Sequence, residues 1–260
     1  MTLGLCILVG TGCETLSSDL SLMMEELMPP SPGEAARWMF DESNADQRRR
    51  GVTLIANSPF GGGESYIRTY EDKVQFDEDP LVRAAAVRAL GRYGEPDHAP
   101  LLARQLLDES EQVRWEAAMA LQRLHNPLVI GPLIDTLSNE GELVDVRAAA
   151  ATALGQYSQD RVFQRLVTAL DARELSLNLA ALDSLRTMTG QRFGPDLRTW
   201  VRWYTETSDP FAGGEEYRYP TYSRRITLFE RLTFWSTKTW EQPAPPAGLR
   251  HADERQTYDN

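Results

Sequence analysis

Between residues 79 and 91 the apolar positions fall at helical spacing: Val82, Ala86, Ala89 and Leu90 make one stripe, with Arg83 and Arg88 off it. Asp79 stands where a helix N-cap is wanted and Pro80 suits a first turn, so the stretch predicts a helix with a defined start. The pattern returns as Val113-Arg114-Trp115-Glu116-Ala117-Ala118-Met119-Ala120-Leu121, behind the candidate cap Ser110, and again as Val146-Arg147-Ala148-Ala149-Ala150-Ala151-Thr152-Ala153-Leu154. A looser copy runs from Leu177 to Leu185. With Arg83, Arg114, Arg147 and Asn178 taken as equivalent, successive copies lie 31, 33 and 31 residues apart, and a degenerate copy places Arg48 35 residues before Arg83. A fixed period near thirty residues predicts a stacked array of like units.

Second apolar stretches separate the copies, at residues 100–107, 132–137 and 162–170. Each repeat is therefore two helices joined by a turn. In the Ala-rich member, Ala86, Ala117, Ala150 and Ala181 each stand four residues before a leucine: Leu90, Leu121, Leu154 and Leu185. Small residues let a neighbouring helix come close while leucine fills the core. One such hairpin cannot bury its apolar face alone, whereas stacked neighbours can.

The recurring Asp-Pro-x-Val-Arg-x-Ala-Ala-x-x-Ala-Leu-Gly resembles the HEAT repeat, in particular the short HEAT-like repeats also found in phycobilin lyases, over residues 44–190. The resemblance implies an all-α, right-handed α-solenoid of about five HEAT-like hairpins at residues 41–205, after an N-terminal linker or helix at 14–40. Residues 185–204 resemble the helix that closes such arrays, where Trp200, Val201, Trp203 and Tyr204 would cover the last apolar face. It also implies that Arg83, Arg114 and Arg147 bond to carboxylates or carbonyls of adjacent repeats. A repeat of this kind implies a non-catalytic scaffold for protein–protein interaction through a concave face; the alternative is an auxiliary chaperone-lyase-like subunit acting on a tetrapyrrole-binding protein.

If the repeat framework is fixed, the free positions of the Ala-rich helices carry the binding chemistry. Aligned columns read Arg49, Ala84, Trp115, Ala148, Leu179; then Arg50, Ala85, Glu116, Ala149, Ala180; then Thr53, Arg88, Met119, Thr152, Asp183. Trp115 replaces an alanine at a position pointing off the core stripe. Tryptophan and arginine on one face are what protein-binding hot spots favour. Arg49, Arg50, Arg88, Trp115, Glu116 and Met119 are thus the candidate contact residues.

Catalytic and cofactor chemistry is thinly represented, so no cofactor, metal or catalytic residue is assigned. The three histidines, His98, His125 and His251, are scattered, and none is followed by Glu, which excludes the iron-binding His-Glu pairs of a HEAT-like hydroxylase. Phe60-Gly61-Gly62-Gly63-Glu64 lacks the Gly-Lys-Ser/Thr of a phosphate loop and reads as a turn inside the first repeat. A formal charge of −11 disfavours nucleic acid as a partner.

The two ends depart from the repeat. Leu3 to Cys13 is apolar with small residues before a cysteine, and resembles the end of a bacterial lipoprotein signal. The resemblance implies a truncated signal over residues 1–13, lipidation and membrane anchoring at Cys13, and a place in the cell envelope; the alternative is the cytoplasm. It also implies a reading frame that begins further upstream, since no Lys or Arg precedes the apolar run. Residues 206–260 form an aromatic, Pro-rich extension. Its segment 226–235 puts Ile226, Phe229, Leu232 and Trp235 on one side of a helix, or reads as an extended strand. So many large rings predict that the extension packs on the C-terminal repeats.

Overall fold

The computed structural model describes residues 30–221 and 242–249. Cys13 and the segment 226–235, with Phe229, Leu232 and Trp235, lie outside them. Eleven α-helices follow in order: α1 (Pro32–Met39), α2 (Ala45–Ala56), α3 (Glu64–Phe76), α4 (Pro80–Tyr93), α5 (Ala99–Arg104), α6 (Glu111–Leu121), α7 (Ile130–Ser138), α8 (Val144–Leu154), α9 (Asp160–Ala169), α10 (Leu175–Thr189) and α11 (Leu197–Glu206). Successive pairs from α1/α2 to α9/α10 make five antiparallel hairpins, and α11 closes the stack on α9. The first hairpin begins at Pro32, where Ser31 and Glu34 form a capping box. The chain is an all-helical solenoid.

The even-numbered, Ala-rich helices stack side by side as one row, and the odd-numbered ones form the other. Ala86, Ala117, Ala150 and Ala181, with Leu90, Leu121, Leu154 and Leu185, are fully buried between the rows. Contact within the even row is close because small residues meet there. A Cβ on Gly91 of α4 would fall 2.5 Å from the Ala120 Cβ of α6, which no real pair tolerates. The even row is therefore the tighter of the two, the packing expected of the concave side of such an array.

Asp79 caps α4 by accepting from the Leu81 and Val82 amides at 2.9 and 3.1 Å. Ser110 sits at the N-cap of α6 but its hydroxyl makes no capping bond. Arg114, in the first turn of α6, donates to the Asp108 and Glu109 carbonyls at 2.9 and 3.1 Å and so ties the preceding turn to that end of the helix.

At the C-terminal end Trp200 is fully buried, its indole N–H donating to the Gly194 carbonyl at 2.9 Å. Phe193 and Trp203 meet it edge-on at 5.1 and 6.3 Å, and Tyr204 stacks on Phe163 of α9 at 4.3 Å. Val201, expected in this cover, is 45% exposed. Helical periodicity puts 200, 203 and 204 on one side of α11 and turns 201 to solvent.

Beyond α11 the chain returns along the array. The Glu215 amide donates to the Thr187 carbonyl at 2.7 Å, and Gly190, with φ 72°, lets Gly213 lie where a Cβ would touch its carbonyl oxygen. Tyr217 is buried. The Tyr219 amide donates to Ala244 O at 3.1 Å, and residues 242–249 then cross the turn after α6. There the Ala247 amide donates to Arg123 O and its carbonyl accepts from the His125 amide, both at 2.8 Å, in an isolated parallel bridge. The described parts of the extension thus pack at the C-terminal ends of the even helices, as far back as the third hairpin. Among the described residues no helix is long and apolar enough to cross a membrane.

Candidate functional site

The framework arginines are held inside the array. Arg83 donates bidentately to Asp108 at 2.9 Å from both Nε and Nη2, and its Nη1 reaches the Asp77 and Glu78 carbonyls at 3.1 Å. Arg114 repeats this with Glu142 at 2.7 and 3.0 Å, and Arg48 with Asp77 at 3.0 Å twice. Each guanidinium joins the carbonyls behind it to a carboxylate ahead of it. These bonds hold all three guanidiniums above their ordinary range, although burial alone lowers them. Arg147 bonds to the Leu137 carbonyl at 3.1 Å and, among the described residues, makes no ion pair. Asn178, in the last copy, caps the Leu170 and Ala172 carbonyls with its amide at 3.1 and 3.0 Å.

The six candidate contact residues divide. Arg88 of α4 and Glu116 of α6 meet across the even row: Arg88 Nε donates to both carboxylate oxygens at 3.1 Å, and Nη2 to Oε1 as well. Gln112 adds a bond to the same carboxylate at 3.2 Å. Glu116, expected at the concave surface, is only 3% exposed. It occupies an alanine position against a close neighbour, so its carboxylate is covered and serves to hold Arg88, whose side chain is 62% exposed. Met119 lies one turn on, half-buried, its sulfur accepting from Gln122 at 3.4 Å. Arg50 is exposed and lies over the Trp38 ring at 5.0 Å. Arg49 pairs with Asp46 at 3.3 Å, while its Nε is buried without a hydrogen-bond partner among the described residues.

Trp115 stands apart from these. It is half-buried at the start of α6, lining a 520 Å³ depression with Gln112, Leu143 and Val146. It packs on the edge of the core and leaves one side to solvent.

A second group, toward the C-terminal ends of the even helices, did not emerge from the aligned columns. Arg88, Arg92 and Arg123, with Thr53 and Asn57, line a 220 Å³ hollow across α2, α4 and the end of α6. Arg92 donates to Ala56 O and Asn57 Oδ1 at 3.3 Å and lies over Tyr93 at 5.1 Å; Arg123 lies over Tyr219 at 4.7 Å. The signal was present one turn past Arg88: Asn57, Arg92 and Arg123 occupy the same place in successive repeats. Among the described residues no group of three His, Cys, Asp or Glu side chains stands ready to hold a metal.

Three overlapping windows, residues 40–122, 72–144 and 103–186, match the family of HEAT repeats and together span more than half of the chain. The chain belongs to the HEAT-repeat family. Among solved structures it is similar to the complex of CpcE and CpcF of phycocyanin lyase from Nostoc sp. PCC7120, at 19% identity, 62% of this chain, 77% of that chain and a TM-score of 0.42. An engineered protein shares 14% identity over 72% of this chain and 99% of its own, with a TM-score of 0.47. Human deoxyhypusine hydroxylase in complex with glycerol shares 16% over 68% and 91%, with a TM-score of 0.33. No curated protein matches.

Proposed function

We propose that this chain is a non-catalytic scaffold that binds another protein through its concave, even-helix face. The supporting observation is a division of labour along α2, α4, α6, α8 and α10. The repeated arginines are consumed in bonds within the array, whereas the surface column Thr53, Arg88, Met119, Thr152 and Asp183 changes at every repeat. Positions that differ between otherwise alike units are free to be fitted to a ligand. Arg50, Arg88 and Met119 are the proposed contacts, Trp115 flanks them, and Arg49 lies at the rim. Glu116 acts through Arg88.

Affinity capture with mass spectrometry tests this. The wild type should enrich one partner that an Arg50→Ala/Met119→Ala variant, folded by circular dichroism, recovers at least about fivefold less. Equal recovery by both contradicts the reading, and an absorbance induced on mixing with a bilin points to the tetrapyrrole alternative.

Anchoring of the scaffold in the cell envelope through lipidated Cys13 belongs to the same proposal and rests on the apolar run ending at Gly12-Cys13. Expressed from an upstream start, the protein should sediment with membranes and Cys13→Ala should release it. A wild type that stays soluble from that start contradicts the anchor.

A further inference from the structure

We infer that the depression beside Trp115 seats a basic side chain of the protein partner, with a guanidinium laid on the indole, an inference that rests on the even-helix-face reading and names the chemistry the partner presents there. The depression, 520 Å³, lies between α6 and the start of α8. Of the residues that line it, Val146 is buried, Trp115 is half-buried and Leu143 is 43% exposed. The repeat calls for neither of the two larger side chains. Trp115 stands where the copies on either side have Ala84 and Ala148, and Leu143 stands at the N-cap of α8, the place that Asp79 fills in α4. Each departs from the repeat, and both line the same depression.

The charges around it are all negative. Glu111 and Asp145, both exposed, line the depression, and no Lys, Arg or His does. Among the described residues Asp145 makes no hydrogen bond or ion pair, and the Trp115 indole N–H donates to nothing. Glu111 interacts with Arg114, but that guanidinium is already held by Glu142 at 2.7 and 3.0 Å. Carboxylates in the first turn of a helix suit its dipole, which accounts for Glu111 and Asp145 but not for the tryptophan and leucine beside them. A basic side chain uses all of these groups: its charge meets the face of the indole and the carboxylates, and its aliphatic stem covers Leu143 and Val146. An anionic side chain in the same place would meet like charge, and an apolar one would cover Asp145 without pairing it. Arginine fits better than lysine, because its planar group stacks on a ring while its in-plane N–H donors reach a carboxylate.

Titration of the full chain with acetyl-tetra-arginine amide, followed at the indole ¹H–¹⁵N resonances, tests the inference. The Trp115 resonance, identified by its loss in Trp115→Phe, should shift saturably and further than those of the other five tryptophans. The binding should weaken as salt is raised, and acetyl-tetra-citrulline amide, which keeps the shape and lacks the charge, should leave the resonance unmoved. Glu111→Gln/Asp145→Asn should weaken binding about tenfold. Asp72→Asn/Asp97→Asn, which removes the same charge from α3 and from the turn before α5, should bind as the wild type does. Thermal melts of each variant verify folding. No shift at Trp115, an equal shift with the citrulline peptide, or an equal loss in the control pair overturns the seat. A partner whose capture is abolished by Arg50→Ala/Met119→Ala but untouched by Glu111→Gln/Asp145→Asn overturns this inference alone and leaves the even-helix-face reading standing.

Discussion

The two long edges of the solenoid solve one problem in two ways. Along both, turns between helices leave backbone groups that must find partners: on one edge these come from an arginine of the following helix, which also reaches a carboxylate of the next repeat, and on the other directly from the next repeat. At the N-terminal ends of the even helices the solution is ionic and periodic: Arg48–Asp77, Arg83–Asp108 and Arg114–Glu142, each a bidentate pair that also gathers two carbonyls. At the C-terminal ends it is irregular and, apart from Arg92, which reaches Ala56 O at 3.3 Å, rests on neutral side chains. Asn126 Nδ2 donates to Pro96 O at 2.9 Å, the Tyr157 hydroxyl exchanges bonds with Asn126 at 3.1 and 3.2 Å, and Gln156 donates to Leu121 O at 2.9 Å. The returning extension then covers this second edge. A repeated ion pair stitches repeats by rule; the neutral edge is fitted locally and needs a cover.

The largest way to break the comparison is on the ionic edge. Arg83→Ala leaves Asp108, 10% exposed at its side chain, without its counter-charge and frees two carbonyls, and should cost about 3–5 kcal/mol in urea unfolding. A loss within about 0.5 kcal/mol, the usual scale of a surface change, would show that the pair does not stitch the array.

Acid should act on the same edge. Burial pushes the Asp77 carboxyl up, but hydrogen bonds from Arg48, Lys73 and the Asp79 amide outweigh it and hold it below the usual range. A carboxyl lowered on folding adds stability that is complete above its unfolded value of about 3.9 and is lost as pH falls through the folded value. The stability gap between wild type and Asp77→Asn should therefore be widest at neutral pH and close in acid; a constant gap down to about pH 3 contradicts it.

On the neutral edge the expected loss is smaller. Tyr157→Phe removes two hydrogen bonds to Asn126 and should cost about 1–3 kcal/mol. Burial pushes the Tyr157 hydroxyl well above its ordinary range, more than its bond to Asn126 lowers it, so it stays neutral and this gap should not change between neutral pH and acid. The smallest effect belongs to Tyr217→Phe. Among the described residues its hydroxyl is buried without a hydrogen-bond partner, and its removal should leave stability unchanged or raise it by up to about 1 kcal/mol. A loss as large as that of Tyr157→Phe would mean that the extension holds a bond at that oxygen.

The difference between the edges also governs what the sequence reveals. The ionic edge was legible because each arginine recurs at the repeat period, as did the buried Ala and Leu stripe and the rings that close the array. Asn126 and Tyr157 do not recur in the neighbouring copies, and Gln156 follows Asn57, Arg92 and Arg123 in its column only as a change of residue: each is fitted to a neighbour about thirty residues away, and nothing in a single chain announces such a pairing. Glu116 misled for a related reason. The column Arg50, Ala85, Glu116, Ala149, Ala180 marks a departure from alanine but not its direction, and only the close approach of α4 and α6 turns that carboxylate inward onto Arg88. Arg92 and Arg123 were periodic yet lay one turn beyond the columns compared. The docking of residues 211–221 and 242–249 follows from burial of Tyr217 and backbone pairing at Ala247, and pairing of that kind carries no side-chain signature.

The central claim is that the even row meets a partner while the odd row faces solvent, and photo-crosslinking tests it most directly. A photoreactive residue in place of Met119 on α6 should yield a crosslink to one partner in cells, whereas the same residue in place of Leu107, 88% exposed just beyond α5, should not. A partner crosslinked from position 107 and not from 119 would contradict the account.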